Sequence, residues 1–201
     1  MIARTDATVV RNPGCNLRLR NGIAPLARYL ARGVRVAIGT DNAALADDED
    51  LLKELRLAAL LARTPSWHGD PPPSSTDLLA MSTVNGAVAA QIAPDVGTLE
   101  LGKRADLIAI SLQRLREPYL DADMPVTDAL LARATGLDVR LTMVDGRIVY
   151  RNGEFVSLDR RALEQQAAAA ALAARLPHDP ENRHRARAFR GQLASHYRAA
   201  T

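Results

Sequence analysis

The stretch VAIGTDNAA, residues 36–44, sets a carboxylate, Asp41, directly behind an apolar run. Extended back to VRVAIG, 34–39, that run is too short for a helix and rich in β-branched side chains, so it reads as a buried strand. Asp41 then falls on the loop just beyond the strand. On its own, a Gly-Thr-Asp after a strand is more often a turn or a helix cap than a catalytic ligand, and both readings stay open at this point.

Upstream, ATVV (7–10) is a short apolar run that stops at the turn signal Arg11-Asn12-Pro13-Gly14. Next comes LARYLARG (26–33), where Pro25 suits the first helical position and Gly33 the residue just past the end. Strand, helix and strand over about thirty residues form a βαβ unit, with parallel strands and a right-handed crossover.

Downstream, the acidic run 47–50 precedes LLKELRLAALLAR (51–63), whose apolar residues at 51, 52, 55, 58, 59 and 62 share one helical face. Acid at the start and Arg63 at the end complement the helix dipole. A proline-rich linker (64–75) follows, and Ser74 and Asp77 have capping-box spacing before LLAMSTVNGAVAAQI (78–92), read as one helix. VGTLELGKRADLIAIS (96–111) alternates, breaks at Gly102 and resumes, as paired short strands do. LTMVDGRIVYRNGEFVSL (141–158) carries the hairpin signal Asp145-Gly146. A short helix is expected within VTDALLARAT (126–135). An Ala-rich helix is expected over about 159–176, then a basic tail. No internal repeat is visible.

The 201 residues allow one domain or one and a half. A 47% hydrophobic content supports a core, and 3% aromatic content makes that core aliphatic. A single cysteine, Cys15, excludes an internal disulfide and suits a reducing compartment. With 26 basic against 23 acidic residues, the charge is too balanced for a polyanionic partner, so no nucleic acid is expected. Arg183, Arg185, Arg187 and Arg190 around His184 read instead as a solvated face or a helix packed on a partner subunit. No run approaches the roughly 20 apolar residues of a membrane span, and MIARTDATVV has no secretory leader, so the expected location is cytoplasmic.

The order of the segments is more specific than any one of them. NPGCNLRLRNGIAP (12–25), GVRVAIGTDNAA (33–44), STVNGAVAAQI (82–92), GTLELGKRADLIAI (97–110) and VDGRIVYRNGEF (144–155) closely resemble the C-terminal half of the amidohydrolase superfamily. The nearest branch is the deaminases and chlorohydrolases of purines, pterins and triazines, and the likeness covers about residues 5–175.

The resemblance implies an α/β fold: the C-terminal part of a metal-dependent (β/α)8 hydrolase barrel in residues 1–95, and part of a small β-sandwich in 96–158. A C-terminal helix and basic tail fill 159–201. It matches Asp41 to an aspartate that ligates zinc or iron and relays a proton between metal-bound water and the substrate nitrogen. A metal that lowers the water pKa towards about 7 needs such a neighbour, and barrel sites lie at the C-terminal ends of strands. It also implies substrate binding by Arg11 and Asn42. Family members commonly carry His where Arg11 stands; Arg offers a permanent cation and a planar donor fork that could bind an anionic substrate group, the alternative being that the change marks relaxed selection. Cys15 stands where the family often has Ser and reads as a packing residue, since no histidine flanks it to make it a nucleophile.

The family's other ligands, a His-x-His and two single histidines, lie upstream of the aspartate. Here His68, His178, His184 and His196 all lie downstream of Asp41 and read as exposed loop or tail residues. A catalytic mononuclear site takes about three protein ligands plus water, and Asp41 supplies one. The expectation is therefore a partial enzyme: a truncated reading frame, a degenerate gene or half of a split protein. The expected chemistry is hydrolysis of a non-peptide carbon–nitrogen bond, the deamination of a small nitrogen heterocycle. The alternative is a catalytically inactive remnant or assembly module. Zinc or iron belongs to the intact enzyme and is not expected to stay on this chain alone, whose partner would be a separate N-terminal half or further copies of itself.

Overall fold

Parallel pairing of two short strands organises the first part of the chain. In the computed structural model, which describes residues 2–42, 48–63, 69–173, 184–185, 187–189 and 191, β1 (Thr8–Arg11) lies beside β2 (Arg35–Ile38). Thr8 is opposite Arg35, and the register runs to Arg11 opposite Ile38. The chain divides into two compact units, Met1–Val156 and Ser157–Thr201.

Two helices cross between the strands. The Asn12-Pro13-Gly14 segment, a turn by its sequence, opens a six-residue helix, α1 (Pro13–Arg18). Proline is pre-set for a first helical turn, and a distant carboxylate takes the Gly14 N–H, so the turn continues as a helix. In α2 (Leu26–Ala31), Pro25 caps the helix instead of starting it, while Gly33 follows the Arg32 cap at φ +67° as its position suggests.

The next helix, α3 (Leu51–Leu61), begins at Asp50, whose Oδ1 accepts from Leu52 N at 3.1 Å and Lys53 N at 3.4 Å. The other oxygen accepts from Gly136 N at 2.8 Å, 86 residues away. Replacing Asp50 by Ala removes the cap and strands the Gly136 donor. We expect a loss of about 1–2 kcal/mol in urea-monitored stability.

Ser74 and Asp77 form the capping box of α4 (Ser75–Ser82). The single helix expected over 78–92 is in fact two: the backbone breaks at Thr83 (φ −123°, ψ −92°) before α5 (Val84–Ala89). Both hydroxyls at the break donate back to the Leu79 carbonyl, Ser82 Oγ at 2.9 Å and Thr83 Oγ1 at 2.8 Å, competing with the helical ladder. The break lets Asn85 Nδ2 donate to Val36 O at 2.8 Å, tying α5 to β2. Leu26, Val36, Ile38, Leu55, Leu78 and Met81 are buried together in an aliphatic core.

A four-stranded antiparallel sheet follows in the order β3 (Leu107–Ile110), β4 (Val139–Val144), β5 (Arg147–Arg151), β6 (Glu154–Phe155). Asp145 (φ +50°) and Gly146 (φ +74°) make the β4–β5 turn that their sequence signals. The helix α6 (Val126–Arg133) lies between β3 and β4 in the chain. The expected strand pair over 96–111 is only β3. Lys103 Nζ donates to Ala93 O at 2.9 Å and Arg104 N to Asp95 O at 2.8 Å, folding 96–106 back as turns. Leu99 and Leu101 consequently stand exposed.

In the second unit, α7 (Arg160–Ala173) buries no side chain. His184, Arg185 and Arg187 are exposed, whereas His68, His178, His196, Arg183 and Arg190 lie outside the described residues. Among the described residues no helix is long and apolar enough to cross a membrane.

Candidate active site

The two parallel strands end together. Gly39 N donates to Arg11 O at 2.9 Å, carrying the ladder one step past β2. A Cβ at position 39 would come within 2.7 Å of the Asn12 side-chain amide, so a larger residue there would push that amide aside. That amide, oriented by its partners, donates to the Gly39 and Arg11 carbonyls at 3.2 Å. The chain leaves this close contact through Thr40 and reaches Asp41 at φ +70°, a left-handed conformation that aspartate tolerates better than most residues. Asp41 and Asn42 are both exposed.

The Asp41 carboxylate does not stand alone. Its Oδ2 accepts a hydrogen bond from Cys15 Sγ at 2.8 Å. Cys15 lies on α1 and is 3% exposed. The bond to Asp41 pushes the thiol pKa up, helped by loss of solvent and by the negative charges of Asp41 and Glu54. Cys15 is therefore held as a protonated donor, the opposite of an activated nucleophile.

Glu54 approaches from α3. It is buried, and its Oε2 accepts from Gly14 N at 2.8 Å. A Cβ on Gly14 would fall onto Glu54 Oε1 and lie 3.3 Å from Cδ, so a larger residue there would displace this carboxylate.

Arg11 is 3% exposed. Strand alternation puts it on the face of Val9, which packs against the core, and away from Val10, which is exposed. Burial lowers its pKa, and the charges of Tyr29 and Glu54 work against that shift. Its Nε and Nη1 find no hydrogen-bond partner among the described residues.

Arg11, Cys15, Asp41 and Glu54 thus gather at the C-terminal end of β1 and β2, with Asn42 beside Asp41. Sequence reading finds Arg11, Asp41 and Asn42, gives Cys15 only a packing role, and passes over Glu54. A signal for Glu54 was present: position 54 falls three after 51 and four before 58, on the apolar face of α3. A carboxylate on that face needs a buried partner.

Among the described residues no group of three or more His, Cys, Asp or Glu side chains is placed to hold a metal ion.

The parallel βαβ segment, its helices and the antiparallel sheet further along the chain make a mixed α/β domain. The chain belongs to the Amidohydrolase family, whose sequence model matches residues 1–149. It is 39% identical over 168 residues to a 5-methylthioadenosine/S-adenosylhomocysteine deaminase of Desulforudis audaxviator, covering 83% of this chain and 38% of that protein. Against a 5'-deoxyadenosine deaminase of Methanosarcina acetivorans the identity is 34% over 171 residues, covering 85% and 38%. A zinc-bound adenosine deaminase from Xanthomonas campestris superposes with a TM-score of 0.77 at 28% identity, covering 84% of this chain and 37% of that one. The zinc complex of atrazine chlorohydrolase TrzN from Arthrobacter aurescens gives 0.72 at 30% identity, covering 83% and 36%. The chain therefore spans a little over a third of the length of these relatives.

Proposed function

We propose that this chain is the C-terminal portion of a (β/α)8 amidohydrolase barrel whose complete form deaminates an aminated nitrogen heterocycle, an adenosine-type nucleoside above all. In this reading residues 1–95 close the barrel, 96–158 form part of the β-sandwich, and 159–201 are a C-terminal helix and tail. The observation that carries it is Asp41, an exposed carboxylate at the C-terminal end of β2 in a chain whose relatives are adenosine-type deaminases.

The chemistry suits that residue. Water adds to the ring carbon bearing the amino group, and the carboxylate takes its proton and returns it to the departing nitrogen, which leaves as ammonia. Asn42, next in the chain, has donors and an acceptor for the polar edge of a base. Arg11 is buried, and the hydrogen-bonding capacity of its Nε and Nη1, which no described residue uses, supports a contact to an anionic or polar substrate group in the complete enzyme.

Zinc bound in the X. campestris and A. aurescens relatives supports a zinc-dependent complete enzyme. Asp41 would be one ligand, and the others would come from additional polypeptide, which would also cover the exposed Val10 face of β1. The shortage of ligands among the described residues favours a second reading for the chain alone, a module without activity of its own.

One carboxylate competes poorly with water for a metal, because affinity comes from several prearranged ligands. After dialysis the isolated chain should hold no stoichiometric zinc or iron by elemental analysis, and should release no ammonia from purine, pterin or triazine substrates. One tightly bound equivalent with turnover would overturn this account. With β1 and β2 as a two-stranded sheet, the isolated chain should also prove oligomeric, aggregated or only loosely folded by sedimentation and melting. A monodisperse, sharply melting monomer would contradict that.

The test of the proposal itself is complementation. Adding a family N-terminal half that carries the upstream histidines should produce ammonia release from adenosine-type substrates.

A further inference from the structure

We infer that Cys15 and Glu54 are positioning residues that hold the Asp41 carboxylate in one orientation. The inference rests on the reading of Asp41 as the reacting group.

An exposed aspartate on a loop has two free side-chain torsions. Among the described residues, Cys15 Sγ is the side-chain donor recorded on Asp41, at 2.8 Å. A residue filling space would need only an apolar surface at position 15. Here a buried S–H is aimed at a carboxylate.

The aim of the thiol depends on where α1 starts. This helix has six residues, and its first turn is pinned from 40 residues away by Glu54 Oε2 on Gly14 N–H. Glu54 also fills the space where a Gly14 side chain would stand. A buried carboxylate is costly unless it is hydrogen-bonded and its charge is balanced, and the nearby Arg11 balances it. A glutamate facing the core of an otherwise aliphatic helix thus has a definite task. The order of control runs from α3 through Glu54 to α1, through Cys15 to Asp41, joining two segments that enclose the loop after β2.

The experiment uses the 201-residue chain labelled with 13C at the aspartate side-chain carboxyl carbon, Cγ. Magic-angle-spinning spectra do not need a monomer. The Asp41 Cγ resonance is assigned by its loss in Asp41→Asn. Cys15→Ala should move that resonance, and Cys15→Ser, which keeps a donor, should return it. Glu54→Ala should move it as well and remove the exchange protection of the Gly14 amide, whereas Glu54→Gln, which keeps an acceptor oxygen, should preserve both. In the complemented enzyme, Cys15→Ala should lower kcat about 10- to 100-fold with KM nearly unchanged, again rescued by Ser. An Asp41 resonance that ignores Cys15→Ala, or a Ser variant that fails to restore it, overturns the inference. Should Glu54→Ala fail to fold, the Cys15 pair and Glu54→Gln still decide. Because the spectra need neither metal nor substrate, absent turnover in the complemented wild type would sink the deaminase reading alone.

Discussion

Asp41→Asn is expected to reduce ammonia release by the complemented enzyme about a thousandfold, within the range for loss of a positioned acid–base group. The substitution is nearly isosteric. Asparagine tolerates the left-handed backbone that Asp41 adopts at φ +70°, and its amide oxygen still accepts from the Cys15 thiol. Folding should therefore be unaffected, and the urea midpoint should match that of the parent. What the amide lacks is a charge and a proton-accepting oxygen, so the loss falls on turnover. Ammonia release within tenfold of the parent would remove Asp41 from the chemistry.

Leu55→Ala should have the largest effect on stability. Leu55 is 1% exposed within the cluster that includes Val36 and Leu78, and a Leu→Ala change in such a site costs about 2–5 kcal/mol. Leu60, on the same helix, is 61% exposed, and its replacement by Ala should cost no more than about 0.5 kcal/mol. The pair separates burial from helix propensity, since both variants make the same exchange in the same element. A total stability of about 5–15 kcal/mol is ordinary for a domain, so in the complemented enzyme Leu55→Ala should lower the urea midpoint by a large fraction. Equal midpoints for the two variants would show that the cluster does not carry the fold.

The parallel pair was legible because its signals are local. The β-branched run 34–39, the run ending near Arg11, and Pro25 and Gly33 around the intervening helix all act within a few residues, and the strands form within a residue of where these point. The Asp145-Gly146 turn and the Ser74/Asp77 box are legible for the same reason.

The misses share a different cause. The helix break at Thr83 depends on hydroxyls bonding backwards and on Asn85 reaching β2. The missing strand before β3 depends on Lys103 and Arg104 finding carbonyls in the preceding turn. Glu54 is 40 residues from its partner Gly14, and Cys15 is 26 from Asp41. Such pairings follow from how the elements pack, which periodicity does not encode. At the candidate site the carboxylate beyond β2 was thus readable as a candidate, while its contact with Cys15 and the Glu54–Gly14 pairing were not.

Asp50 has a consequence for measurement. One of its oxygens starts α3, at the end of the segment that leaves Asp41, and the other holds the amide of Gly136. Any opening that lifts the start of α3 away from Asp50 also releases the Gly136 proton to water. The exchange rate of that single amide is a remote gauge of the first turn of α3, the helix that carries Glu54, readable without substrate, metal or a label near the site.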